Sequence, residues 1–196
     1  MKRVATITRK TNETDINLSL KIDGLGKRKI DTPVGFLNHM LDLFATHGLF
    51  DLNIKAKGDM YIDEHHAIED IGIVLGEAFT KALDDKKGIK RYGFFILPMD
   101  EALATVAVDF AGRYSFRLEC PFTREKVGDL STELIKHFWD AFAQNAKTNL
   151  HIKVENGEND HHKIEAIFKA TARAIRMAAE YDTRTKNQLP STKGKL

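Results

Sequence analysis

The period of apolar and polar residues changes several times along the chain, and each change marks an element. Val4 to Lys10 reads as a strand. Ile16, Leu18, Leu20 and Ile22 alternate with polar neighbours, which buries one face of a second strand. Thr11-Asn12-Glu13-Thr14 between them makes a hairpin loop, and Asp23-Gly24-Leu25-Gly26 makes a turn. From Val34 the period lengthens. Phe36, Leu37, Met40, Leu41 and Phe44 recur at helical spacing, and Gly48 stops that helix. Leu52, Ile54 and Ala56 return to strand alternation. Asp63 is placed to cap a long helix with the buried stripe Ile68, Ile71, Leu75, Phe79 and Leu83, ended by Lys86-Lys87-Gly88.

The same plan follows again. Residues 94–97, 102–110 and 114–119 predict strands, and a helix runs from about 129 to 147. Leu150, Ile152 and Val154 predict another strand. Asp160 caps a final helix reaching about Tyr181, and 182–196 is a polar tail with one Pro and one Gly.

The two halves align residue by residue. His39-Met40-Leu41-Asp42-Leu43-Phe44-Ala45 matches His137-Phe138-Trp139-Asp140-Ala141-Phe142-Ala143 at an offset of 98 (39 to 137), as does Leu52-Asn53-Ile54-Lys55 with Leu150-His151-Ile152-Lys153. His65, His66 and Glu69 match His161, His162 and Glu165 at an offset of 96 (65 to 161). Two residues are lost in the loop between, where a deletion costs little. The expectation is one catalytic domain of α+β class made by internal duplication. A first half-repeat covers 1–90, a second covers 91–182, and the tail is 183–196. Each half is strands, helix, strand, helix, and the halves bury sheets and helices against one another in layers.

Composition narrows the partners. With 196 residues, 42% of them hydrophobic, the chain can bury a core. A net charge of +2 and a pI near 8.5 give no large basic field, so nucleic acid is not the expected partner. Cys120 is the single cysteine, which suits a reducing compartment. The N-terminus lacks the apolar run of a signal peptide, and no stretch approaches the ~20 apolar residues of a membrane span. A cytoplasmic protein without membrane contact is expected.

The chemistry lies in the histidines. Of eight, six fall in the repeated constellation: the two His-His-x-x-Glu motifs, with His39 upstream of the first and His137 upstream of the second. A single exposed His-His pair is most often solvated surface; its recurrence with a recurring upstream His argues for ligation. Residues four apart on a helix share a face, whereas adjacent ones diverge by ~100°. His65 and Glu69 can therefore converge on one ion, as can His161 and Glu165, while His66 and His162 point elsewhere. The economical division is two sites of three His and one Glu, with each motif serving two ions. Nitrogen and carboxylate donors without thiolate suit Mn, Fe, Co or Zn.

Other candidates are weaker alone. His151 shares its strand with buried Leu150 and Ile152 but faces the other side, and is assigned no role. His47, matched by Asn145, could contact substrate. Arg91 and Arg113 could bind phosphate as planar forks, though each by itself reads as surface charge. Asp100-Glu101 is more often a solvated turn than a catalytic dyad. Ser191-Thr192-Lys193-Gly194 offers hydroxyls, a cation and a flexible backbone. There is no Walker loop and no dinucleotide fingerprint.

Taken together, the chain resembles the imidazoleglycerol-phosphate dehydratases nearly end to end. The resemblance rests on Arg9-Lys10-Thr11-Asn12-Glu13-Thr14, Gly35-Phe36-Leu37-Asn38-His39-Met40-Leu41, Thr46-His47-Gly48 and Asp63-Glu64-His65-His66-Ala67-Ile68-Glu69-Asp70. It extends through Met99-Asp100-Glu101-Ala102-Leu103, Val127-Gly128-Asp129-Leu130-Ser131-Thr132-Glu133, Asn159-Asp160-His161-His162 and Ser191-Thr192-Lys193-Gly194. Asn38 stands where that family often has Asp, Ala67 where it has Thr, and Pro33 where it has Gly.

The resemblance implies a duplicated half-domain related to the second domain of ribosomal protein S5. It implies a homo-oligomer of 24 subunits in octahedral symmetry with active sites shared between subunits. It also implies two Mn²⁺ per site, held by His39, His65, His66, Glu69, His137, His161, His162 and Glu165. Arg91, Arg113, Ser191 and Lys193 would hold the substrate phosphate. Glu13, His39, His47, His65, Glu69, His161 and Lys169 would also face the substrate. Glu13, arriving from a neighbouring subunit, would move protons, with Glu165 and Glu69 as the other carboxylates. The implied reaction removes water from imidazole glycerol phosphate to give imidazole acetol phosphate, in histidine biosynthesis. An imidazolate held between two metals would expel the side-chain hydroxyl through a diazafulvene. A metal-storage shell and a two-metal hydrolase are the alternatives from other classes. The first predicts many ions and no turnover, and the second usually leans on bridging carboxylates.

Overall fold

Ile16, Leu18 and Leu20 are buried as their alternation requires, and they place β2 (Thr14–Lys21) inside a four-stranded sheet. In this computed structural model, which describes residues 2–196, β2 pairs antiparallel with β1 (Val4–Lys10) and with β4 (Asp51–Gly58). A short strand, β3 (Arg28–Asp31), joins β4 in parallel, giving the order β1-β2-β4-β3. Between β3 and β4 runs α1 (Gly35–Gly48), and after β4 comes α2 (His65–Leu83).

The second half repeats this topology. β5 (Tyr92–Met99), β6 (Ala102–Asp109), β7 (Ser115–Glu119) and β10 (Asn149–Asn156) form a sheet of order β5-β6-β10-β7, again with one parallel pair. β4 and β10 match end to end at the offset of 98. The hairpin of β8 (Lys126–Val127) and β9 (Leu130–Ser131) precedes α3 (Leu134–Asn145), and α4 (Asp160–Ala179) closes the half.

Three differences from the sequence expectation have physical reasons. β3 carries a single apolar residue, Ile30, and no alternation announces it; it forms because it can extend the sheet beside β4. The helix expected from about 129 begins at Leu134. Gly128, at φ 61°, turns the chain so that Val127 and Leu130 bury from two short strands. Asp129 at that turn accepts the N–H groups of Gly35 (2.6 Å) and Phe36 (2.8 Å), so it caps α1 of the other half. The final helix is opened by Asn159, not Asp160: the Asn159 side chain accepts the His161 N–H at 2.9 Å.

The helices form the middle layer. α2 lies on the first sheet and α4 on the second, while α2 packs against α3 and α1 against α4. Aromatic side chains bridge the halves, Phe79 against Phe142 and Phe44 against Trp139. Beyond α4 the chain folds back: Asp182 N–H donates to Gly88 O and Gly88 N–H donates to Gln188 O, both at 2.8 Å. Among the described residues no helix is long and apolar enough to cross a membrane.

Two glycines set the α2–α3 distance. A Cβ on Gly72 would lie 2.6 Å from Phe138 O, and one on Gly76 would lie 2.5 Å from Phe142 O. Gly76→Leu must separate the helices, and overpacking of this kind costs about 1–3 kcal/mol. Urea unfolding should show a correspondingly lower midpoint; an unchanged midpoint would contradict the close packing.

Candidate metal and substrate site

His161 and Glu165 lie one turn apart on the first turns of α4, on one face. Glu165 Oε2 is 3.3 Å from His161 Nε2 and 3.4 Å from His39 Nε2, the latter arriving from α1. A second group joins His65 and Glu69 of α2 to His137 of α3. In each trio the candidate ligand atoms lie within 4.8 Å of one another. Neighbouring donors around an ion held at about 2.1 Å are about 3 Å apart, so this donor set fits a cation with little adjustment. Each upstream His thus joins the motif of the opposite half, and not of its own as the reading order suggests. The cause is the packing of α1 on α4 and of α2 on α3.

His66 and His162 stay outside the trios, as their neighbours' facing requires. His66 Nδ1 lies 3.0 and 3.2 Å from the two oxygens of Asp59, and its Nε2 is 3.9 Å from Glu13. His162 Nδ1 lies 2.7 Å from Glu101 Oε2, and its Nε2 is 3.6 Å from Asp100. These carboxylates hold both rings above the ordinary imidazole range. Glu101 itself, bonded by the Asn159 N–H and then by His162, is drawn down to about 2. Within one chain each group therefore has two His and one Glu, one His short of the expected set.

Glu165 Oε1 meets Lys169 Nζ at 2.5 Å. Burial pushes the Glu165 carboxyl up, but Lys169 and then His39 outweigh it, and the group sits below the usual carboxylate range. His47 continues this line along α1. Burial first, then the charges of Lys169 and Arg173, push its ring below the usual range.

The phosphate candidates gather elsewhere on the chain. Arg91 grips Asp109 through Nε (2.7 Å) and Nη2 (3.0 Å), and its Nη1 donates to Pro190 O at 2.8 Å. The tail reaches Gly112, where an added Cβ would meet the backbone of Leu196, beside the exposed Arg113. Ser191 Oγ donates to Lys195 O and accepts the Lys193 N–H, which shapes the tail loop. Arg91 and the tail are thus in direct contact, whereas Lys169 has Glu165 and Met99 as its partners.

Comparison with known proteins settles the kinship. The family model for imidazoleglycerol-phosphate dehydratase matches residues 32–175. A Rhodopirellula baltica imidazoleglycerol-phosphate dehydratase is 55% identical over 194 residues, covering 99% of this chain and 96% of the relative. The chain belongs to the imidazoleglycerol-phosphate dehydratase family. A Pseudomonas paraeruginosa member is 51% identical over 195 residues, with coverage of 100% and 99%. The Staphylococcus aureus crystal structure superposes with a TM-score of 0.83 at 42% identity, covering 91% of this chain and 99% of that one. IGPD from Pyrococcus furiosus in complex with (S)-C348 gives 0.83 at 36% identity, with coverage of 97% and 100%. Family membership makes the chain a hydro-lyase.

One departure from the common dehydratase pattern has a structural use. The Asn38 amide accepts the Thr32 N–H at 3.0 Å and donates to Thr32 O at 3.2 Å. It closes the turn before α1, and a carboxylate could not make the second bond.

The dehydratase motifs are held by two further carboxylates. Glu64 Oε1 accepts from Ser131 N (3.0 Å), Ser131 Oγ (2.6 Å) and Lys126 Nζ (3.1 Å). Asp160, its repeat counterpart, accepts from Thr123 N, Thr123 Oγ1, Arg124 N and Lys163 Nζ. Burial alone would push both groups up, yet these donors hold each at about 2. A folded pKa below the unfolded one gives stability that is present above about pH 4.5 and lost as pH falls towards 2. The denaturation midpoint should therefore drop over that window, and Asp160→Asn should lower it at pH 7 and flatten the drop. An Asp160→Asn acid profile parallel to the wild type would contradict this.

Proposed function

We propose that this chain dehydrates imidazole glycerol phosphate to imidazole acetol phosphate, in histidine biosynthesis, with two Mn²⁺ per site. The observation that carries the reading is the pair of matched His-His-Glu trios in a chain of this family. His outnumbers Glu among the donors, which suits an active site for a nitrogen heterocycle better than a hydrolase site. The eight ligands are His39, His65, His66, Glu69, His137, His161, His162 and Glu165. Each trio lacks one donor, and His66 and His162 have Nε2 clear of both trios; neighbouring copies in a homo-oligomer of 24 would exchange them. A cytoplasmic location and division into half-repeats 1–90 and 91–182 with an active-site tail from 183 belong to the same reading.

The chemistry that divalent cations supply here is Lewis-acid stabilisation of an anionic imidazole ring. Arg91, Arg113, Ser191 and Lys193 hold the phosphate and so orient the glycerol chain, while Lys169 faces the substrate from beside Glu165. Asp109 fixes the Arg91 fork, and the Pro190 carbonyl ties that arginine to the tail. Dehydration breaks a C–O bond, with the pair leaving as hydroxide, and removes a proton from the adjacent carbon. The resulting enol becomes the ketone, and the two lost pieces make water. Glu13 is suited to carry the carbon's proton: it is exposed, lies outside both trios and travels with His66. Glu69 and Glu165 are committed to the trios, and His47 lines the α1–α4 side.

Metal-stripped protein should form the ketone only after Mn²⁺ is restored. Folded protein that takes up two ions per chain without product would overturn the dehydratase reading in favour of metal storage. Glu13→Gln should leave KM nearly unchanged and lower kcat by about 10²–10⁴; normal turnover rejects that role. The crossed ligand groups give a separate count. His39→Ala and Glu165→Gln should each lose one bound Mn²⁺, their double no more than one, and His39→Ala with Glu69→Gln both.

A further inference from the structure

A neutral imidazole offers one bare nitrogen, and the partner of its other nitrogen decides which. An ionised carboxylate only accepts, so the ring nitrogen beside it carries the proton. His66 and His162 each turn Nδ1 to a carboxylate, at 3.0 Å from Asp59 and 2.7 Å from Glu101. In the neutral rings this leaves Nε2 as the nitrogen free to ligate, and it faces Glu13 at 3.9 Å in His66 and Asp100 at 3.6 Å in His162, outside both trios. Each carboxylate is itself anchored. The Asp59 N–H donates to Glu13 O at 3.0 Å, and the Asp59 side chain is 9% exposed. Glu101 Oε1 accepts the N–H groups of Glu158 (3.1 Å) and Asn159 (2.8 Å), the residues that lead into α4.

The two halves reach this result by different routes. Glu13 precedes β2 as Glu101 precedes β6, and the buried Ile16, Leu18 and Leu20 correspond to Ala104, Val106 and Val108. The hairpin glutamate therefore occupies equivalent places. In the second half it grips the ring directly. In the first half it stops 3.9 Å away from Nε2, and Asp59, from the loop after β4, takes over at Nδ1.

We propose that Asp59 and Glu101 are positioning residues that fix His66 and His162 as Nε2 metal ligands, and that Asp59 thereby leaves Glu13 free to face substrate. The proposal rests on the metal-dependent reading above. Its test is calorimetric titration of Mn²⁺ into the metal-stripped full-length protein. Glu101→Gln and Asp59→Asn should each weaken binding of one ion by about 10–100-fold, with the thermal midpoint of the metal-free protein retained. Placing Glu101→Gln on His162→Ala, and Asp59→Asn on His66→Ala, separates orientation from loop support. No further weakening shows that the carboxylate acts through the ring. Further weakening in the double variant, or wild-type affinity in the single variants, overturns the proposal while leaving the metal reading intact. A wild-type protein that takes up no Mn²⁺ overturns both.

Discussion

The carbonyl oxygens of Phe138 and Phe142 lie within 2.6 Å of where Gly72 and Gly76 would carry a Cβ. That backbone-to-backbone approach brings α2 against α3 closely enough for His65 and Glu69 to meet His137, whose side chain leaves α3 one residue before Phe138. The repeat position of Gly72 is filled differently: α4 carries Phe168 there, and it packs on Phe138 and Trp139 of α3. The ligand trios therefore recur although the packing beneath them has diverged. Interior packing is discrete, not continuously adjustable, so the duplicated geometry survives by exchanging one well-packed solution for another.

A second constraint is electrostatic. The His pairs stand at the N-termini of α2 and α4, where the helix carries partial positive charge and a cation is disfavoured. Glu64 and Asp160 stand at these same two helix starts, and both remain ionised through the neutral range. They also tie the starts to the 121–131 segment, which through Asp129 caps α1 as well. One irregular stretch of the second half thus fixes the starts of three helices that carry candidate ligands.

The alternation and helical periods made most of the architecture legible, because the buried stripes are long and regular. β1, α1 and β4 lie close to where those patterns put them. The repeat exposed all eight candidate ligands, since their spacing is carried by the chain itself. The grouping of His39 and His137 was hidden, because proximity along the chain says nothing about which half a helix packs against. Glu101 was hidden for another reason. A hairpin carboxylate has no local signature for a bond to a side chain 61 residues on; only its correspondence with Glu13 could have singled it out. The β8–β9 hairpin escaped because two-residue strands are too short to show a period.

The crossing of the upstream histidines bears on how such a molecule can arise. Neither half holds a trio by itself, for each lends its upstream His to the other. Two identical half-length ancestors arranged as these halves are would already have completed both trios reciprocally, as a symmetric pair. Joining the genes end to end would then have required no new ligand. It would also have released each half to drift on its own, which is what the exchange of Glu101 for Asp59 beside the second His records.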